Sequence, residues 1–203
     1  MDEKFYAALG RFVIAFSSAE HGVNSTLAIF SKTYGPVGRA IFSGTRAKGA
    51  IDFVRRIHEA QGIEMHPGLA AIFAQMNAIN TMRDKLLHQG VKDDDLGGFI
   101  TSNINYAHTE KALQAFPVSI EILERMTVDL RIIDGFLSFH YVPEDLKGRP
   151  LTPSLQDIMQ AMVAGRDGPL PSWRYKSPQP ALAGRKTPKT TPRRGRPPPT
   201  SQE

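Results

Sequence analysis

The sequence contains no cysteine in 203 residues. That excludes disulfides and thiolate metal sites, and it is what a protein kept in a reducing cytoplasm would show. No apolar run approaches the roughly 18 residues needed to cross a bilayer. The opening stretch, MDEKFYAALG, is acidic where a signal peptide would be basic. The chain also lacks an internal repeat and a phosphate-cradling glycine loop of the P-loop or dinucleotide kind. These absences lead to the expectation of a cytoplasmic protein with no membrane contact, no cofactor and no bound metal.

What is present is globular in composition, 41% hydrophobic and 22% charged, with a length that suits one domain plus extensions. The net charge of +5 is unevenly spread. From Arg174 to Glu203 there are eight Lys and Arg against one acid, which leaves about −2 for residues 1–173. The basic character belongs to the C-terminal tail.

Apolar residues Phe5, Leu9, Phe12, Phe16, Val23, Leu27 and Phe30 recur at helical spacing, and Glu20 falls inside that stripe. YGPVG at 34–38 then breaks the helix. A second helical pattern follows, interrupted near Ser43–Gly44, with Ile51, Val54 and Ile57 on one face. Pro67 suits the first residue of a third helix carrying Leu69, Ile72, Phe73, Met76, Ile79 and Leu86, with Gly90 as its C-terminal cap.

Between Gln89 and Phe116 the helical period is lost, and FITSNINY at 99–106 reads as a short hairpin or an ordered loop. Pro117 is expected to open a fourth helix with Ile120, Leu123, Met126, Leu130, Ile133 and Leu137 on one side. TPSLQDIMQAM at 152–162 predicts a short fifth helix with a threonine cap. After Gly165 come nine of the fifteen prolines, and such a segment lacks the apolar area to offset its ordering entropy. The expected fold is all-α. It is an up-and-down four-helix bundle over 1–147 with an irregular or β-hairpin insertion after the third helix. A short helix and linker over 148–170 and a disordered tail over 171–203 complete the chain.

The segment NTMRDKLLHQG at 80–90 draws attention at the end of the third helix. At about 100° per residue, Arg83 shares a face with Asn80, Met76 and Phe73, so a guanidinium emerges from the apolar stripe. It needs a partner there, and Glu20 is the natural candidate. His88 points about 140° away from Arg83 and lies one turn beyond Asp84, which is expected to hold one ring nitrogen.

Asn80–x–x–Arg83–Asp84–x–x–x–His88 followed by a glycine resembles the signature of the HEPN superfamily, over roughly residues 3–141. In that family an Arg and a His occur late in a helix of a four-helix bundle, often with an acid on the first helix. Family members often carry Asn after the Arg and Ala before the His, where this chain has Asp84 and Leu87.

The resemblance implies a metal-independent endoribonuclease acting as a homodimer, in a toxin–antitoxin or defence setting with a cognate antitoxin. RNA would be cut by its own 2′-hydroxyl. His88 would serve as general base or acid, since imidazole titrates near neutrality. Arg83 would offer two donors to the phosphoryl oxygens. Asp84 would orient His88, and Asn80 and Glu20 would support the site. The divergent aim of Arg83 and His88 is repaired if a twofold axis brings two copies into one cleft. The rival reading is a non-catalytic helical dimer that binds nucleic acid or a protein partner, with Arg83–Glu20 a structural pair.

Other candidates carry less. DDD at 93–95 reads as a solvated turn and His21 as a surface or interface residue, while His58 and His66 flank a loop and form no recognised motif together. Ser17 and Ser18 have no triad context. In the tail, Arg194–Gly195–Arg196–Pro197 resembles an AT-hook core, in which an extended Arg-Gly-Arg enters a narrow minor groove, and Arg193 beside it joins Arg194 and Arg196 as expected nucleic-acid contacts. The bland alternative is a basic tail that binds any polyanion through counterion release. Either way nucleic acid, RNA as substrate or DNA as a contact, is the expected partner.

Overall fold

A computed structural model describes residues 3–33, 35–93, 99–103, 107, 114–140, 172–178 and 180. Most of these residues are helical, in α1 (Glu3–Ser31), α2 (Gly35–Phe42), α3 (Ala47–Gln61), α4 (Pro67–His88) and α5 (Ile120–His140). A small antiparallel sheet of β1 (Lys92–Asp93), β2 (Phe99–Ser102) and β3 (Ala115–Val118) lies between α4 and α5 in sequence. Among the described residues no helix is long and apolar enough to cross a membrane.

Side-chain neighbours give the helix directions. Glu20 bonds to the first residue of α3, and Phe30 packs on His58 near the end of α3 with ring centroids 4.5 Å apart, so α1 and α3 run the same way. Arg11 meets Glu124 at 3.4 Å and Gly22 lies against Leu137, so α5 is parallel to both. A Cβ on Gly22 would come within 3.2 Å of the Leu137 Cβ, and the bare glycine lets the two helices approach. α4 runs oppositely. Its start at Gly68 abuts Phe136 late in α5, and its end at Lys85 covers Phe116 just before α5 begins. α2 supplies the return stroke between α1 and α3.

The interruption expected near Ser43–Gly44 is therefore a full reversal rather than a pause within one helix. Gly44 adopts φ +77°, and the Thr45 N–H bonds to the Phe42 carbonyl at 3.0 Å, which closes the turn. A left-handed residue of this kind favours glycine.

One core joins these elements. Phe5, Phe12, Val23 and Leu27 of α1, Ile51 and Val54 of α3, Leu69, Ile72, Phe73, Met76 and Ile79 of α4, and Leu123, Met126, Leu130 and Ile133 of α5 are all buried. Each fully buried large side chain contributes about 1.5–3 kcal/mol of transfer free energy. The sheet closes one end: Phe99 stacks on Phe5 at 4.3 Å, Phe116 and Val118 are buried, and the Thr101 hydroxyl donates to the Lys85 carbonyl at 3.0 Å.

Two sequence expectations change here. Pro117 does not open the last helix. It sits in β3 opposite Ile100, on an edge strand where its missing N–H is tolerated. Ser119 is the cap instead, its hydroxyl accepting from the Ile122 N–H at 3.2 Å. The expected tail from 171 onward also yields a described, packed stretch. Tyr175 is 3% exposed and Trp173 packs against the same core. The short helix expected at 152–162 lies outside the described residues, as do Arg193, Arg194 and Arg196.

Candidate functional site

The last two turns of α4 carry the motif. The Arg83 guanidinium donates to the Asp84 carboxylate at 2.9 Å, and the Asn80 amide donates to the other oxygen of Asp84 at 3.4 Å. Arg83 also lies over the Phe16 ring, 5.2 Å from its centroid, a cation–π placement. Its side chain is only 21% exposed, against 48% for Asp84, so the network stands at the rim of the core. His88 is exposed, and among the described residues its ring donates no hydrogen bond to Asp84. Leu87 beside it is 47% exposed.

The expected Glu20–Arg83 pair is not formed. Glu20 accepts the Ala47 N–H at 3.0 Å and so caps α3 from a neighbouring helix. The reason is local: Arg46 at the cap position provides no side-chain bond, leaving the positive end of α3 open to a carboxylate. Arg83 is satisfied by its own neighbour and by an aromatic face. Asp84 accordingly serves the arginine and not the histidine.

Lys85, between Asp84 and His88, has its pKa lowered by burial, while its ammonium sits 3.2 Å from the Phe116 ring centroid. The ring face offsets part of that desolvation and pins the sheet to the end of α4. Asn77 and Gln89 each keep a buried side-chain oxygen without a hydrogen-bond partner, one on either side of the motif.

The other histidines have separate duties. His58 is buried, its Nδ1 2.9 Å from the Val54 carbonyl, and His66 accepts the Gly68 N–H at 3.1 Å as the cap of α4. His21 is exposed and lines a cleft between α1 and α2.

Sequence reasoning missed one constellation. Asp129 of α5 is fully buried and accepts the Gln75 amide at 2.8 Å, the Arg174 N–H at 3.0 Å and the Tyr175 N–H at 2.8 Å. Gln75 also donates to the Tyr175 carbonyl at 3.1 Å. A carboxylate with three donors is well compensated in a dry site. The signal existed, since Asp129 stands beside Leu130 within the stripe that includes Met126 and Ile133.

Comparison with family models, curated proteins and solved structures gives no match to this chain. Functional assignment therefore rests on its residues.

Proposed function

We propose that this chain is a HEPN-like four-helix bundle, built from α1, α3, α4 and α5 with α2 as a connecting stroke, and that it cleaves RNA without a metal as a homodimer. The observation that carries the reading is the open His88 five residues beyond Arg83, whose guanidinium rests at the edge of the core on an exchangeable partner, Asp84. Asp84 is half exposed and accepts through a single short bond from Arg83, so a phosphate offering two acceptor oxygens can compete for the guanidinium.

The reaction divides among few groups. One His88 takes the proton from a ribose 2′-hydroxyl, whose oxygen bonds to phosphorus as the P–O5′ bond breaks. The second His88 returns a proton to the departing 5′-oxygen. Arg83 stabilises charge on the non-bridging oxygens. The products are a 2′,3′-cyclic phosphate and a 5′-hydroxyl. Asn80 keeps Asp84 in place, and Glu20, now the cap of α3, supports the fold at a distance. The dimer axis lies beside Leu87, which a second copy would cover. Arg193, Arg194 and Arg196 would hold nucleic acid near the body and raise its local concentration. A toxin or defence role with a cognate antitoxin follows from the resemblance.

A second reading is favoured by one observation: Arg83 is already satisfied by Asp84 and Phe16. In that reading the network is a structural staple, and the helical dimer only binds nucleic acid or a protein partner. End-group analysis of incubated RNA in the presence of EDTA separates the two. Cyclic phosphate and 5′-hydroxyl ends support cleavage as described. Intact RNA supports the second reading, and ends that form only with added metal contradict the first.

A further inference from the structure

The cleft between α1 and the returning α2 has a volume of about 400 Å³ and lies apart from the α4 motif. That volume falls in the range of small-ligand sites. Its polar lining comes from His21, Asn24 and Ser25 of α1, Arg39 of α2 and the Ser43–Thr45 turn, with Phe42 as an apolar wall. Among the described residues, no carboxylate lines it. Glu20, the nearest acid in sequence, is engaged by the Ala47 N–H.

Three further facts single this cleft out. Among the described residues, no ion pair or side-chain hydrogen bond engages His21, Ser25, Arg39, Ser43 or Thr45. The Asn24 amide holds a buried oxygen with no partner, and since amide oxygen and nitrogen are interchangeable by a flip, it can present either a donor or an acceptor. The cleft exists because the chain makes a costly local shape. Gly35 and Gly44 both take positive φ, and a Cβ on Gly38 would lie 2.3 Å from the Thr33 carbonyl oxygen. A cation, an imidazole and three hydroxyls around one concavity without a competing anion form a receptor for tetrahedral oxyanions.

We propose that the α1–α2 cleft binds a phosphoryl group, with Arg39 as the counter-charge, His21 as a ring N–H donor and Ser25, Ser43 and Thr45 as hydroxyl donors. Such a group comes either from a small phosphorylated molecule or from the phosphodiester backbone of a nucleic acid. The assignment stands independently of RNA cleavage.

The test follows the His21 ring resonances of the full chain by NMR, a local readout that binding at the basic tail does not move. Inorganic phosphate is titrated against sodium chloride at equal ionic strength, and in a parallel arm a short all-2′-deoxy oligonucleotide without terminal phosphate is added. A saturable His21 shift in phosphate and not in chloride is expected, weakened at least tenfold in Arg39→Ala and unchanged in His88→Ala. A matching response to the oligonucleotide assigns the site to a polymer backbone, and its absence assigns it to small phosphorylated molecules. Equal responses to chloride and phosphate, no saturable shift, or wild-type behaviour of Arg39→Ala overturns the proposal. Ser43→Ala, on an exposed turn, serves as the second variant should Arg39→Ala fail to fold, and the same tenfold criterion applies to it.

Discussion

Asp129 in α5 and Tyr175, 46 residues later, are joined by a 2.8 Å hydrogen bond from the tyrosine N–H to the buried carboxylate. With the Arg174 N–H and the Gln75 amide on the same group, this relationship fastens a basic, proline-rich end of the chain to the body. It reads main chain, so it specifies where the segment lies more than which side chains it carries.

Removing the carboxylate takes the acceptor from three N–H groups, two of them buried. Asp129→Ala is expected to cost about 2–4 kcal/mol, measured by urea unfolding. Trp173 is the sole tryptophan and packs against the core, so its fluorescence should report the release of the segment before the helices unfold.

Truncation sharpens the same point. A chain ending at residue 180 should keep wild-type stability and lose most nucleic-acid affinity together with part of its salt dependence. A chain ending at 171 should lose stability as well, because Asp129 becomes a buried charge stripped of its main-chain partners. Equal stability of the two truncations, compared by thermal unfolding, would contradict the clamp.

Tyr175 links the clamp to pH. Burial raises its pKa above the ordinary tyrosine value, opposed in part by a hydrogen bond with Ser177. The unfolded tyrosine therefore ionises first. Stability from this group is complete below about pH 10 and declines as pH rises through the folded value. A fluorescence titration of Trp173 should show the segment loosening in alkali, and Tyr175→Phe should lack that step.

Glu20 and Arg83 should behave as strangers. Glu20→Ala is expected to cost about 1 kcal/mol as a lost helix cap. A double-mutant cycle with Arg83→Ala should show additivity within about 0.5 kcal/mol. A coupling well above that would restore the pairing that the sequence suggests.

The two missed or mispaired acids show what a sequence carries and what it hides. Helix faces were legible because burial repeats with the helical period, as Phe5 to Leu27 and Leu123 to Leu137 show. That Glu20, Arg83 and Asp129 needed partners was legible too, because each lies in or beside an apolar stripe. Which partner each would find was not. Glu20 went to a helix terminus that exists only because α2 reverses the chain, and Asp129 to a segment whose composition argues against packing. Pro117 misled for a similar reason. A proline marks a boundary, but only the neighbouring strand decides whether the boundary opens a helix or ends a sheet. The α1–α2 cleft was invisible, since His21 and Arg39 come to line one cleft only through the turns at Gly35 and Gly44.

We propose that His88 and Arg83 carry out RNA cleavage. Single-turnover cleavage of a labelled RNA in EDTA, comparing wild type with His88→Ala and Arg83→Ala, tests it most directly. Each substitution should lower the rate at least a hundredfold with helicity and self-association unchanged, and a substrate carrying 2′-deoxyribose should resist all three proteins. Wild-type rates in both variants, or cutting of the deoxy substrate, would contradict the account.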